Sequence, residues 1–153
     1  MRLASLDREH AAMKSAPRPV EEPSMHRRIL VIDHDNNIRL IICERLRAMG
    51  FDATEEDTGI SGLARLAREA PRMTFSGVLL ELDMPALGGM AVLQELRDRY
   101  LSLPVIAMSH SIQIDRLRQA VRLGAKEYLV KPFDTDLLRK KCHLVFDGEQ
   151  DPT

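Results

Sequence analysis

Between Arg28 and Phe146 the chain alternates five times between a short apolar run and a longer segment with helical spacing. Ile29-Leu30-Val31-Ile32 is apolar at every position, as in a strand covered on both faces. The next segment places Ile38, Ile41, Ile42, Leu46 and Met49 on one helical face, with Asn36 or Asn37 as the expected N-cap and Gly50 closing it. A short second strand follows near Phe51 to Glu56. A second helix carries Ile60, Leu63, Leu66, Ala67 and Ala70, and Pro71 stops it. Val78 to Leu82 is the third strand, and the third helix, about Gly89 to Tyr100, turns Met90, Leu93 and Leu96 inward. Pro104 to Met108 is the fourth strand, and the fourth helix, ending at Gly124, uses Ile114, Leu117 and Val121. Tyr128 to Lys131 is the fifth strand, and Leu138, Cys142 and Val145 mark a last helix. Strands this short, separated by helices, require right-handed crossovers. The predicted fold class is therefore α/β, a doubly wound five-stranded parallel sheet with helices on both faces.

The length of 153 residues suits one such domain, residues 28–147, with an N-terminal extension (1–27) and a C-terminal tail (148–153). Ala16-Pro17-Arg18-Pro19 and Glu22-Pro23-Ser24 break regular structure, so the extension reads as a mobile arm, with Leu3 to Met13 as a short helical candidate. No output domain is expected after Phe146. Aromatic residues make up only 4% of the chain, so the core must be aliphatic. Net charge is −1, which gives no reason to expect nucleic-acid binding. Locally, eight Lys/Arg face four acids between Ile112 and Lys141, a weak pointer to an acidic partner. Cys43 and Cys142 lack metal-ligand spacing and read as buried thiols. No apolar run is long enough to span a bilayer and no apolar signal core is present, so the expected location is cytoplasmic.

Ligands of open parallel sheets bind outside the carboxyl ends of the strands, and the polar residues gather there. Asp33, His34 and Asp35 follow the first strand, Glu81 and Asp83 the third, Ser109 and His110 the fourth, and Lys131 ends the fifth. A hydroxyl and an ammonium facing carboxylates suit a phosphoryl group and a hard cation.

Taken together, the segments Ile29 to Asp33, Leu79 to Pro85 with Gly89, Pro104 to Ser109, and Gly124 to Phe133 resemble the response-regulator receiver (CheY-like) domain of two-component signalling. The resemblance spans nearly the whole domain and implies the flavodoxin-like (βα)5 receiver fold. It assigns Ser109 as the hydroxyl switch position, Tyr128 as the aromatic switch position and Lys131 as the phosphate-sensing lysine. It further implies a cis Lys131-Pro132 bond, a state open to X-Pro. In that family the phosphoacceptor aspartate lies four residues before the proline of the Met-Pro turn. Counting back from Pro85 gives Glu81. His34 likewise stands where a second acid supplies a metal contact, and His110 where a small residue follows the hydroxyl.

One extra methylene moves a carboxylate by about 1.5 Å, and a misplacement on the order of 1 Å costs about 10²-fold in rate. The longer carboxylate can instead approach Lys131 as a phosphoryl oxygen would. The chain therefore reads as an atypical, stand-alone pseudo-receiver that is not an enzyme and signals by phosphorylation-independent protein–protein interaction. Whether Glu81 gives an active-like or a resting state stays open. The resemblance points to the face formed by the fourth helix, fifth strand and fifth helix for a kinase, adaptor or effector; no nucleic acid or membrane partner is expected. No cofactor is expected either: magnesium at Asp33 and Glu81 would be weak or absent. Two alternatives remain: a working phosphoacceptor through Asp83 or Glu81, and a metal- or ligand-binding module in the altered acidic pocket (Asp33, His34, Asp35 and Asp83), where His34 and His110 with Glu81 and Asp33 would hold a transition metal.

Overall fold

A computed structural model describes residues 27–148; residues 1–26 of the extension and 149–153 of the tail lie outside the described residues. The strands are β1 (Arg28–Ile32), β2 (Asp52–Glu56), β3 (Gly77–Glu81), β4 (Val105–Ser109) and β5 (Glu127–Val130). The helices that follow them are α1 (Asn36–Ala48), α2 (Gly59–Glu69), α3 (Gly89–Arg99), α4 (Ile114–Arg122) and α5 (Thr135–Phe146). All pairings are parallel, in the order β2-β1-β3-β4-β5. The predicted α/β sheet is present, with boundaries shifted by a residue or two.

Alternation along each strand builds two cores. Ile29 and Val31 of β1 join Leu79, Ile106, Met108 and Leu129 under α1 and α5. Leu30 and Ile32 point the other way, joining Leu80, Val78 and Ala107 under α2 and α3. β1, β3 and β4 are covered on both faces, which explains why they lack polar alternation. Cys43 and Cys142 are buried free thiols, as expected, and burial pushes them up to about 11 and about 12 respectively. The Lys131-Pro132 bond is cis.

Local chemistry corrects several expectations. The N-cap of α1 is Asp35 rather than Asn36 or Asn37: its carboxylate accepts the N–H groups of Asn37 and Ile38. The buried stripe of α1 is Ile42, Cys43 and Leu46, which leaves Ile41 44% exposed. α2 packs through Gly59, Gly62 and Leu66, so Ile60 faces outward. The largest departure is α4. Only Ala120 is buried there, while Ile114 is 61% and Val121 58% exposed and Leu117 is also exposed. Arg116, one turn before Ala120 on the same stripe, reaches back to the Leu82 carbonyl and the Asp83 carboxylate. That tether sets the rotation of α4, and the apolar stripe about 100° away turns to the surface.

The start of α3 lies on the backbone at the end of β3. A Cβ on Gly89 would fall 2.3 Å from both the Glu81 carbonyl oxygen and the Leu82 Cα. Only glycine allows this approach, which fixes the turn carrying Leu82 to Pro85 above the sheet.

Candidate functional site

The buried polar or charged side chains among the described residues are Asp33, Glu81, Ser109 and Lys131. All four lie at carboxyl ends of strands. Ionisable groups in an aliphatic interior persist only when paired, and the pairing here is explicit. Lys131 Nζ lies 2.6 Å from Asp33 Oδ2 and 2.8 Å from Glu81 Oε1. The second Glu81 oxygen accepts the His34 backbone N–H at 3.0 Å and lies 2.5 Å from His34 Nδ1. Asp33 Oδ1 accepts the Asp35 N–H at 2.9 Å. Every oxygen of the two buried carboxylates thus already takes a hydrogen bond.

The charges respond accordingly. Burial pushes the Glu81 carboxyl up, but the His34 ring and backbone N–H and the Lys131 ammonium outweigh it, so its pKa falls below the ordinary value. Burial also tends to neutralise Lys131, and the two carboxylates more than reverse this. At Asp33 burial prevails over the same ammonium and the Asp35 N–H, and its pKa rises. The Glu81 hydrogen bond raises His34 against the smaller effect of desolvation. At neutral pH the geometry therefore describes a Glu81 carboxylate bound on one side by an ammonium and on the other by a histidine.

A second cluster stands beside the first. Asp83 accepts the Ser109 hydroxyl at 3.0 and 3.1 Å, the His110 N–H at 2.8 Å and Arg116 Nη2 at 2.9 Å. Burial would raise its carboxyl, yet these donors hold it below its usual value. Ser109 thus donates to Asp83 rather than toward Lys131, while its oxygen accepts the Ser111 N–H. The Tyr128 hydroxyl donates to the Ser111 carbonyl at 3.2 Å, and the ring is half-buried against the core.

The predicted pocket residues are therefore sorted rather than pooled. Asp33, His34, Glu81 and Lys131 meet; Asp83 and Ser109 meet separately; Asp35 caps α1 with its carboxylate. Arg116, one of the eight basic residues counted between Ile112 and Lys141, belongs to the Asp83 cluster. Its position one helical turn before the small residue Ala120 was the available signal. Arg39 was not singled out at all, although it donates to the Asp33 carbonyl at 2.7 Å and to Glu55 at 3.0 Å.

Ligand atoms of Asp33, His34 and Glu81 lie within 4.8 Å of one another, close enough to surround one cation. Magnesium requires near-octahedral oxygen coordination at about 2.0–2.1 Å. Here Lys131 holds one oxygen of each carboxylate, a histidine replaces an oxygen donor, and Asp35 serves the helix. The donor set in this arrangement does not fit magnesium.

Comparison with known proteins agrees with this topology. The DNA-binding transcriptional regulator NtrC of Salmonella typhimurium is 35% identical over 108 residues, which cover 71% of this chain and 22% of that protein. Chemotaxis protein CheY-3 of Vibrio cholerae is 28% identical over 123 residues, covering 78% of this chain and 92% of that one. The solved structure of CheY4 of Vibrio cholerae superposes with a TM-score of 0.71 at 22% identity, over 78% of this chain and 98% of CheY4, a likeness of fold. The chain thus spans about a fifth of NtrC and most of the chemotaxis proteins. The family model for the response regulator receiver domain matches residues 29–143. The order of the sheet, the polar groups at its carboxyl edge and this match make the chain a member of the response regulator receiver domain family of two-component signalling.

Proposed function

We propose that this receiver signals through protein–protein contact without accepting a phosphoryl group. The observation that carries the reading is the 2.8 Å bond from Lys131 Nζ to Glu81 Oε1. In this reading Glu81 takes the phosphoacceptor position, and its carboxylate supplies to Lys131 the anionic oxygen that a phosphoryl group would otherwise bring. A carboxylate with all its oxygens engaged is a poor nucleophile, because attack must first break its bonds to Lys131 and His34. The hydroxyl at the switch position, Ser109, is occupied by Asp83. Asp83 as a substitute acceptor is disfavoured in the same way, held by Ser109, His110 and Arg116.

The partner face in this proposal is α4, β5 and α5. Ile114, Leu117 and Val121 form an exposed apolar stripe on α4, with exposed Ile112 before it and Val130 on β5. Docking rather than catalysis is the proposed role, with no bound cofactor. NtrC is a DNA-binding regulator by its name, and that property is not carried over to a chain spanning a fifth of it. No helix among the described residues is long and apolar enough to cross a membrane; a cytoplasmic location is part of the proposal.

The test is NMR with beryllofluoride and magnesium, which mimic a phosphoryl group on a receiver carboxylate. Amide signals of the wild-type chain are expected to stay fixed, while Glu81→Asp shifts signals at residues 109–113 and 128–131. A wild-type response equal to that of Glu81→Asp would refute the proposal.

A further inference from the structure

A groove of about 220 Å³ opens between α1 and the turn after β5, on the α1–α5 side of the sheet. Its walls are apolar: Ile38, Ile41 and Ile42 from α1, Pro132 and Phe133 from the turn. Three basic side chains complete the lining, and they are not equivalent. The Lys131 ammonium is already held between Asp33 and Glu81. His110 contributes an exposed ring at the rim, its backbone N–H being donated to Asp83. Arg45 is half-buried, and its guanidinium meets no carboxylate or other acceptor among the described residues.

The acids nearest in sequence are otherwise engaged or face elsewhere. Asp134 caps α5 through the Leu137 N–H, and Asp136 pairs with Arg139. Glu44 adjoins Arg45 in sequence, so on the helix it points about 100° away. An apolar slot with one uncompensated guanidinium at its wall selects an anion with an apolar body. Arginine favours a planar carboxylate that can accept two N–H groups together. The volume lies below that of drug-sized pockets and sets the ligand at on the order of ten non-hydrogen atoms.

We propose that this groove binds a small organic acid: a monocarboxylate with an aromatic or branched aliphatic body, its carboxylate on Arg45 and its body against Ile38, Ile41 and Phe133. This goes beyond the signalling role and does not depend on whether Glu81 accepts phosphate. A bound acid would lie over the Lys131-Pro132 turn and couple a metabolite to the loops that flank the Glu81 cluster.

The experiment is an NMR titration of the full chain with phenylacetate and 4-methylpentanoate, following isoleucine methyl groups and backbone amides. Saturable shifts are expected at Ile38, Ile41 and Phe133, with Kd in the millimolar range typical of a ligand this small. Phenylacetamide, which lacks the charge, and acetate, which lacks the body, are expected to bind at least about tenfold more weakly. Arg45→Gln should weaken phenylacetate by a similar factor while leaving the remaining spectrum unchanged, since the Arg45 side chain makes no bond among the described residues whose loss would unfold the chain. Absence of saturable shifts up to about 10 mM, a concentration well above Kd for such a site, would overturn the proposal. So would equal binding of the amide or acetate, or undiminished binding by Arg45→Gln.

Discussion

Replacing Lys131 by methionine removes the ammonium and keeps an unbranched apolar stem. The side chain is 2% exposed, and its two partners, Asp33 and Glu81, are fully buried. Breaking a buried ion pair from one side costs about 3–5 kcal/mol, because the orphaned charge stays in the interior. Proton uptake limits that cost. From an ordinary aspartate pKa near 3.9, protonating one carboxylate at pH 7 costs about 4 kcal/mol at ~1.36 kcal/mol per pH unit. Asp33 is the group to take the proton, since burial already raises it in the wild type. In Lys131→Met the folded state then binds about one proton more than the unfolded chain, so its stability falls by about 1.4 kcal/mol per unit as pH rises from 5 to 7. The wild type has the opposite tendency at Glu81, whose depressed pKa contributes stability above about 4.5 that is lost as pH falls through the folded value. Urea denaturation followed by far-UV circular dichroism should therefore show a deficit of about 3–5 kcal/mol at pH 7 that narrows steadily toward pH 4. A deficit below about 1 kcal/mol that does not change with pH would show that no buried ammonium separates the two carboxylates, and the reasoning would fail.

Two further outcomes follow from the geometry. Asp83 is held below its usual pKa by burial-opposing donors from His110, Ser109 and Arg116, so it contributes stability present above about 3.8 and lost as pH falls through its lower folded value. The gap in stability between wild type and Asp83→Asn should close in acid, measured by urea melts across pH; a gap that widens there contradicts the arrangement. On α4, Ile114→Ser combined with Val121→Ser should change stability by less than about 0.5 kcal/mol per site, because both side chains face solvent; a loss above about 2 kcal/mol would place them in the core.

The fold was legible because β3 and β4 carry no polar residue until their last position, and β1 none from Ile29 to Ile32. Leu30 and Ile32 face one core and Ile29 and Val31 the other, and a run apolar at every position has few other uses. Helix faces were less legible. For α4, periodicity identified the stripe of Ile114, Leu117 and Val121 but not its direction, which depends on one arginine bonding to Leu82 and Asp83 across 34 and 33 residues of sequence. α1 was misread for a related reason. Asp35 looked like a pocket acid, and the unpaired N–H groups of a helix start compete for such a carboxylate and win. The approach of Glu81 to Lys131 was anticipated from the receiver resemblance together with the extra methylene of the glutamate side chain. The partition of the site was not, because nothing in the spacing of Asp83 and Ser109 distinguishes a bond between them from a shared pocket.

The most direct measurement is intact-mass spectrometry of the full chain after treatment with acetyl phosphate or phosphoramidate in the presence of magnesium, with Glu81→Asp treated in parallel. Unmodified wild-type protein is expected beside a variant that gains the mass of one phosphoryl group. A wild-type chain carrying that mass, mapped by peptide sequencing to Glu81 or Asp83, would contradict the proposal.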